Sequence, residues 1–294
     1  MIEVSKVIKD YDPPRRKFFS LKKADSAPQR AVDGISFECK PGRIFSLLGP
    51  NGAGKTTTLR MIATILRPGS GQITVAGHDV MQHPNMVRRN IGFLTGATGL
   101  YARLTPNEMI RYFADLNGIA PAEFRVRKEA LFTSLKMHDF ANKKIGSLST
   151  GMKQKVSIAR TMIHNPPVVV FDEPTSGLDV ITASAIIDLI RQCKQEQKTV
   201  IFSSHIMSEV ELLCDDLAIM HKGKLIFYGT MSEFRAQMQT ANITEDFIRL
   251  GVNLSLLLRG QFFSFDFLRC PCFSVSGVAF IRHGILFFLR KTKN

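Results

Sequence analysis

Eight consecutive residues constrain this chain more than any other stretch. Gly49-Pro50-Asn51-Gly52-Ala53-Gly54-Lys55-Thr56 fits the pattern G-x-x-x-x-G-K-[ST], a loop built to wrap a polyphosphate. Its flanks agree. Ile44 to Leu48 is an apolar run that predicts a buried strand, and Lys55 to Leu66 predicts a helix stopped at Pro68-Gly69-Ser70-Gly71. The glycines free the backbone to turn around the anion, and the N–H groups of the new helix point at it. Lys55 adds a charge toward the terminal phosphates, and the Thr56 hydroxyl is placed to ligate Mg²⁺.

The rest of the pattern supplies a matching scaffold. Residues 2–8 and 31–39 alternate as strands do, and Thr74 to Ala76 starts another. The stretch from about 105 to 163 is mostly helical in pattern, with breaks at 118–121 and 146–151. Val168 to Phe171 is continuously apolar, as in a strand buried on both faces. A helix over 182–194 follows, then strands over 199–203, 217–220 and 224–228. Strands alternating with helices predict an α/β fold with a mostly parallel core sheet.

Charge and cysteine content narrow the class. The formal net charge is +14 over 294 residues, which raises nucleic acid or anionic membrane as partners. Residues 12–30, a Pro- and Lys-rich loop insert, carry +4, and residues 250–294 carry +5. The remaining core is only modestly basic, so no nucleic acid is expected. Five scattered cysteines without a signal peptide predict free thiols in a reducing compartment. Cys270-Pro271-Cys272 has no second Cys/His pair at metal-binding spacing. The longest apolar stretch, Phe273 to Leu289, has 17 residues and contains Arg282. A spanning helix needs about 20, and a central Arg costs roughly 2.5–3.5 kcal/mol more, so no transmembrane span is expected.

Two further segments carry chemistry. The strand Val168–Phe171 runs into Asp172-Glu173. Alone, that pair reads as a solvated strand end. Downstream of a phosphate loop, Asp172 is placed to hold Mg²⁺ and Glu173 to polarise an attacking water. Leu148-Ser149-Thr150-Gly151-Met152 opens a helical pattern with Ser149 as N-cap. Alone, it is only a helix cap.

In order, the phosphate loop, Leu148–Met152, Asp172-Glu173-Pro174, Ser176-Gly177-Leu178-Asp179 and a lone His205 after a strand resemble the motif set of ABC transporter ATP-binding subunits, over residues 1 to about 235. The wording LSTGMKQKVSIART and SSHIMSEV is similar to the sodium-extruding, NatA-type exporters. The resemblance implies a P-loop ABC ATPase domain over 1–242 with a helical subdomain at 97–165, and an atypical Phe-rich basic tail over 243–294 outside it. It implies ATP hydrolysis with Mg²⁺ held at Thr56 and Asp172, and catalysis by Glu173 and His205. Gly49, Pro50, Asn51, Gly52, Ala53, Gly54, Lys55, Thr56 and Thr57 would bind nucleotide, and Tyr11 would stack on adenine, with Phe18 and Phe19 as alternatives in the insert. Ser149 and Gly151 would reach the ATP of a second ATP-binding subunit, and Asp179 would shape that dimer interface. Separate transmembrane permease subunits are implied, with this chain peripheral on the cytoplasmic membrane face.

One position departs from the pattern. After Ile91-Gly92-Phe93-Leu94 the family places Gln or Glu, in a loop that senses the membrane partner. Here Thr95-Gly96 stands there. The departure puts coupling through this loop in question and leaves ATP binding untouched. It motivates one rival reading, a catalytically defective regulatory subunit, which the intact Glu173 and His205 oppose. A soluble ABC ATPase acting on ribosomes or nucleic acid is the other. Those chains fuse two ATPase halves or insert a long coiled coil, and neither is present. The cargo is not legible in a subunit that does not line the pathway.

Overall fold

The computed structural model describes residues 1–12, 28–95 and 99–239. The alternating segments at the N-terminus become β1 (Ile2–Tyr11) and β2 (Gln29–Cys39), paired antiparallel. The loop glycines separate β3 (Ile44–Leu48) from α1 (Lys55–Ile62). Next come β4 (Ser70–Val75), β5 (His78–Asp79), α2 (Pro84–Asn90) and β6 (Ile91–Leu94). Three helices follow: α3 (Pro106–Leu116), α4 (Pro121–Ser134) and α5 (Thr150–Met162). Then β7 (Val168–Asp172), α6 (Val180–Gln195), β8 (Thr199–Ser204) and α7 (Met207–Leu213) precede β9 (Asp216–His221), β10 (Lys224–Thr230) and α8 (Met231–Gln239).

These strands form two sheets. The six-stranded sheet has the order β10-β9-β3-β8-β7-β6, parallel except for β10 at its edge. The expected mostly parallel core sheet is this one. The four-stranded antiparallel sheet β2-β1-β4-β5 is an addition that the alternation of strands and helices did not foretell. It explains why the central strands are buried and largely apolar on both faces. Ile44 and Leu48 of β3 face one core with the helices, while Phe45 and Leu47 face a second core lined by Ile2, Val4 and Phe37 of the other sheet. A strand covered on both faces has no polar side to show.

Three boundaries differ from expectation. Helix α1 stops at Ile62 rather than Leu66, because Thr64 turns left-handed at φ 60° and the N–H groups of Ile65 and Leu66 fold back onto the Arg60 carbonyl. Strand β4 begins at Ser70, inside the expected turn. Gly71 (φ 83°) lies where a Cβ would sit 2.4 Å from the Lys6 carbonyl oxygen, beside a register shift in β1. The glycine is a bulge device rather than a stop signal. Strand β2 takes in Gln29 and Arg30, paired with Tyr11 and Asp10, so the insert is shorter than 12–30. Phe18 and Phe19, the Cys270 to Cys272 run and the tail over 243–294 lie outside the described residues.

Candidate active site

The phosphate loop leaves the end of β3 and enters α1 under tight steric limits. A Cβ at Gly49 would lie 2.3 Å from the Met220 carbonyl oxygen, and one at Gly54 (φ 107°) 2.5 Å from that of Ala31. Only glycine fits either place. The loop therefore opens a cleft of about 460 Å³ lined by Asn51 to Thr57 together with Tyr11, Glu173 and Lys222. The Tyr11 hydroxyl lies 3.3 Å from Thr57 Oγ1, so the expected adenine-stacking ring stands at the rim of this cleft.

Lys55 is buried, 4% exposed, and its Nζ donates to the carbonyls of Gly49 at 2.7 Å and Pro50 at 3.2 Å. Burial pulls its pKa below the ordinary lysine value, and the Glu173 carboxylate 3.6 Å away pushes part of the way back. A cation held dry and satisfied by loop carbonyls matches an incoming polyphosphate, whose oxygens offer stronger acceptors.

The acidic pair sits directly beside it. Asp172 ends β7 almost fully buried, and its Oδ1 accepts from Thr56 Oγ1 at 3.0 Å and from Ser203 Oγ at 2.8 Å. A hydroxyl and a carboxylate at this distance, both oxygen donors at the helix mouth, fit the few protein ligands Mg²⁺ takes beside phosphate. At Glu173 the chain turns left-handed, φ 49°, and its N–H donates to Ser203 Oγ at 3.0 Å. A non-glycine residue in that region is strained, and such strain collects at working sites. The turn brings Glu173 Oε1 to 3.3 Å from His205 Nδ1, within ion-pair reach although not in hydrogen-bond alignment. Lys55, Glu173 and His205 thus lie together at one mouth.

The remaining candidates gather elsewhere on the same chain. Ser149 caps α5, accepting from the Met152 N–H at 3.2 Å, and is exposed. Asp179 caps α6, accepting from the N–H and hydroxyl of Thr182, both at 2.9 Å, and these bonds hold its carboxyl below the usual range. Gly151 lies against this second cap: a Cβ there would stand 2.9 Å from Thr182 Oγ1. The two helix starts therefore form one surface. Thr95 follows β6 directly, and Gly96 lies outside the described residues.

Two residues escaped the sequence reading. Ser203, wholly buried, ties Asp172 to the strand that carries His205. Gln154 of α5 donates from Nε2 to the Pro174 carbonyl at 3.1 Å and so joins the helix opened by Ser149 to the loop after Glu173. A Ser pair at the end of an apolar strand was the available signal for the first. The second carried none.

The chain belongs to the ATP-binding subunits of ABC transporters, and it is an ATPase whose ATP hydrolysis is coupled to transport. The family model described as ABC transporter matches residues 32–176. The ABC transporter ATP-binding protein NatA of Bacillus subtilis is 42% identical over 232 residues, covering 79% of this chain and 92% of that protein. The Nod factor export ATP-binding protein I of Burkholderia thailandensis is 38% identical over 198 residues, covering 67% of this chain and 65% of that protein. The dimeric structure of MJ0796, a bacterial ABC transporter cassette, superposes with a TM-score of 0.68 at 25% identity, covering 79% of this chain and 99% of that one.

Proposed function

We propose that this chain powers a membrane exporter by closing two copies of itself around two ATP molecules. The observation that carries the reading is the convergence of Lys55, Glu173 and His205 at the glycine-loop cleft. In that cleft the loop N–H groups and Lys55 bind the phosphates, Thr56 and Asp172 hold Mg²⁺, and the ring of Tyr11 lies along adenine. Mg²⁺, when bound, would be held by the Thr56 hydroxyl and the Asp172 carboxylate and would offset the charge of the phosphates. The Glu173 carboxylate then accepts a proton from the attacking water, and His205 orients that water and the terminal phosphate. Positioning and charge do the chemistry, with no covalent intermediate.

The second copy is supported by the surface made by Ser149, Gly151 and Asp179. Beside it, Val180 and Ile181 are 86% and 78% exposed at the start of α6, an apolar pair at the very edge of polar caps. Cleft and cap surface complement each other between copies, so that Ser149 and Gly151 of one chain meet the ATP of the other. Transport then requires separate transmembrane permease subunits, since among the described residues no helix is long and apolar enough to cross a membrane. The chain would bind them from the cytoplasmic face, with Thr95 and Gly96 in the loop that senses them. Export rather than import is supported by the export protein among its relatives, and sodium as cargo by the likeness to the NatA type.

The test is Glu173→Gln. The variant should keep ATP affinity, lose turnover by about a hundredfold or more, and accumulate as an ATP-bound dimer in size-exclusion chromatography. Near-normal turnover would remove Glu173 from the catalytic role.

A further inference from the structure

We propose that Glu209 is a positioning residue that fixes the catalytic pair, Glu173 and His205, at its working separation. The inference rests on the assignment of those two residues to hydrolysis. Glu209 lies on α7, whose Met207, Val210 and Leu213 are buried in the helical core, so its backbone is firmly rooted. Its carboxylate reaches in two directions. Oε1 accepts from Thr175 Oγ1 at 2.5 Å, and Oε2 accepts from Ser204 Oγ at 2.8 Å. Thr175 stands two residues beyond Glu173, and Ser204 immediately precedes His205. One side chain therefore clamps the two loops on which the catalytic groups ride.

The clamp uses both oxygens of the carboxylate as acceptors. Thr175 and Ser204 are 8% and 2% exposed, and both use their hydroxyl proton on Glu209. Ser204 Oγ in turn accepts from the Ile206 N–H at 3.0 Å, so its bonds bracket His205 on both sides. Its contact with the Ile206 carbonyl is 3.4 Å, too long to compete for the proton. An amide keeps one acceptor oxygen and presents N–H donors in place of the other, so one of the two hydroxyls loses its acceptor and must reverse its role. Ser203 already joins β8 to β7, through Asp172 and the Glu173 N–H. That tie ends at the strand tips. Glu209 acts beyond them, on the segments that leave the sheet, where a displacement of a few tenths of an ångström moves Oε1 of Glu173 relative to Nδ1 of His205.

The experiment compares Glu209→Gln, Glu209→Ala, Thr175→Val and the double variant Thr175→Val/Glu209→Ala in the full chain. Glu173→Gln and His205→Ala serve as controls. Steady-state ATP turnover is expressed per nucleotide-binding site, titrated with a fluorescent ATP analogue. A positioning role predicts kcat lower by about tenfold in Glu209→Gln and about a hundredfold in Glu209→Ala, with KM for ATP within about twofold. The double variant should be no slower than Glu209→Ala alone, because alanine already releases the Thr175 loop. A purely structural role would lower the melting temperature and the number of binding sites while leaving turnover per site unchanged, and that result overturns the proposal. So does additivity of the two substitutions. Should Glu209→Ala fail to fold, Glu209→Gln and Thr175→Val decide alone, each expected to lower kcat per site with KM within about twofold. If Glu173→Gln and His205→Ala themselves turn over normally, it is the site assignment that fails, a result distinct from normal turnover in the Glu209 variants alone.

Discussion

Lys55 shows how one residue can oppose folding and serve binding. Its cation is almost dry, and burial lowers its pKa in the folded chain. For a cation the sign is clear. A folded pKa below the unfolded value of 10.5 means the charged form costs stability wherever the unfolded lysine is protonated, so that cost is present at neutral pH and is relieved as pH rises through the shifted value toward 10.5. Neutral Lys55→Met escapes the cost. Its ligand-free melting temperature should stay level or rise, while the stabilisation by nucleotide disappears. Wild-type protein at a hundredfold excess of ATP over Kd gains about 2.7 kcal/mol. Scanning fluorimetry with and without ATP measures both, and a retained ATP-induced shift would remove Lys55 from phosphate binding.

At the scale of elements, helix starts and buried helix faces set the behaviour. Ser149 caps α5 through the Met152 N–H. Ser149→Ala should cost about 1 kcal/mol in chemical denaturation. It should leave ATP affinity intact and depress turnover, because in the proposed dimer the lost hydroxyl would be offered to the other copy's ATP. Weakened ATP affinity with unchanged turnover per bound ATP would contradict that division of labour. Cys193 on α6 and Cys214 just after α7 are driven by burial to about 12, and buried Cys39 is also raised well above the usual thiol value. The nucleophilic thiolate appears only as pH climbs toward those values. Iodoacetamide at pH 8, read by peptide mass spectrometry, should leave these three unmodified in the native chain and label all of them in denaturant. Rapid native labelling of Cys193 would mean that α6 opens from the sheet.

The same elements show what a sequence can and cannot disclose. Strands β3 and β7 were legible because burial on both faces leaves an apolar run, broken in β3 only by the buried Ser46, and the start of α1 was legible because glycine and lysine have a single use there. The separate antiparallel sheet was not, because pairing of β1 with β4 is decided by contacts between distant segments, and Gly71 looks like a turn until its neighbour Lys6 is in place. Of the site, Lys55, Thr56, Asp172, Glu173 and His205 followed from motif order. The left-handed bend at Glu173 and the buried bonds of Ser203 did not, since no local residue preference demands either.

At the scale of the whole molecule, the described core ends in α8. Among the described residues the last buried core side chain is Phe234 of α8, whose ring meets Phe227 of β10 edge-on at 5.2 Å. Thr230 and Glu233 lock the turn between those elements, the Glu233 carboxylate accepting from the Thr230 N–H at 2.7 Å. Beyond this point the composition changes: residues 250–294 hold 8 of the 22 phenylalanines, a single acid and a charge of +5. Their apolar residues keep neither a helical nor a strand period. We propose that these residues contribute nothing to hydrolysis. A chain ending at Leu250 should keep its kcat, its ATP affinity and its melting temperature. It should also be at least as soluble as the full chain, because phenylalanine clusters left in water promote association. Turnover, nucleotide titration and light scattering of the two chains side by side make the comparison. If the shortened chain unfolds or loses ATP, the core extends past α8, and the domain boundary near 242 is misplaced.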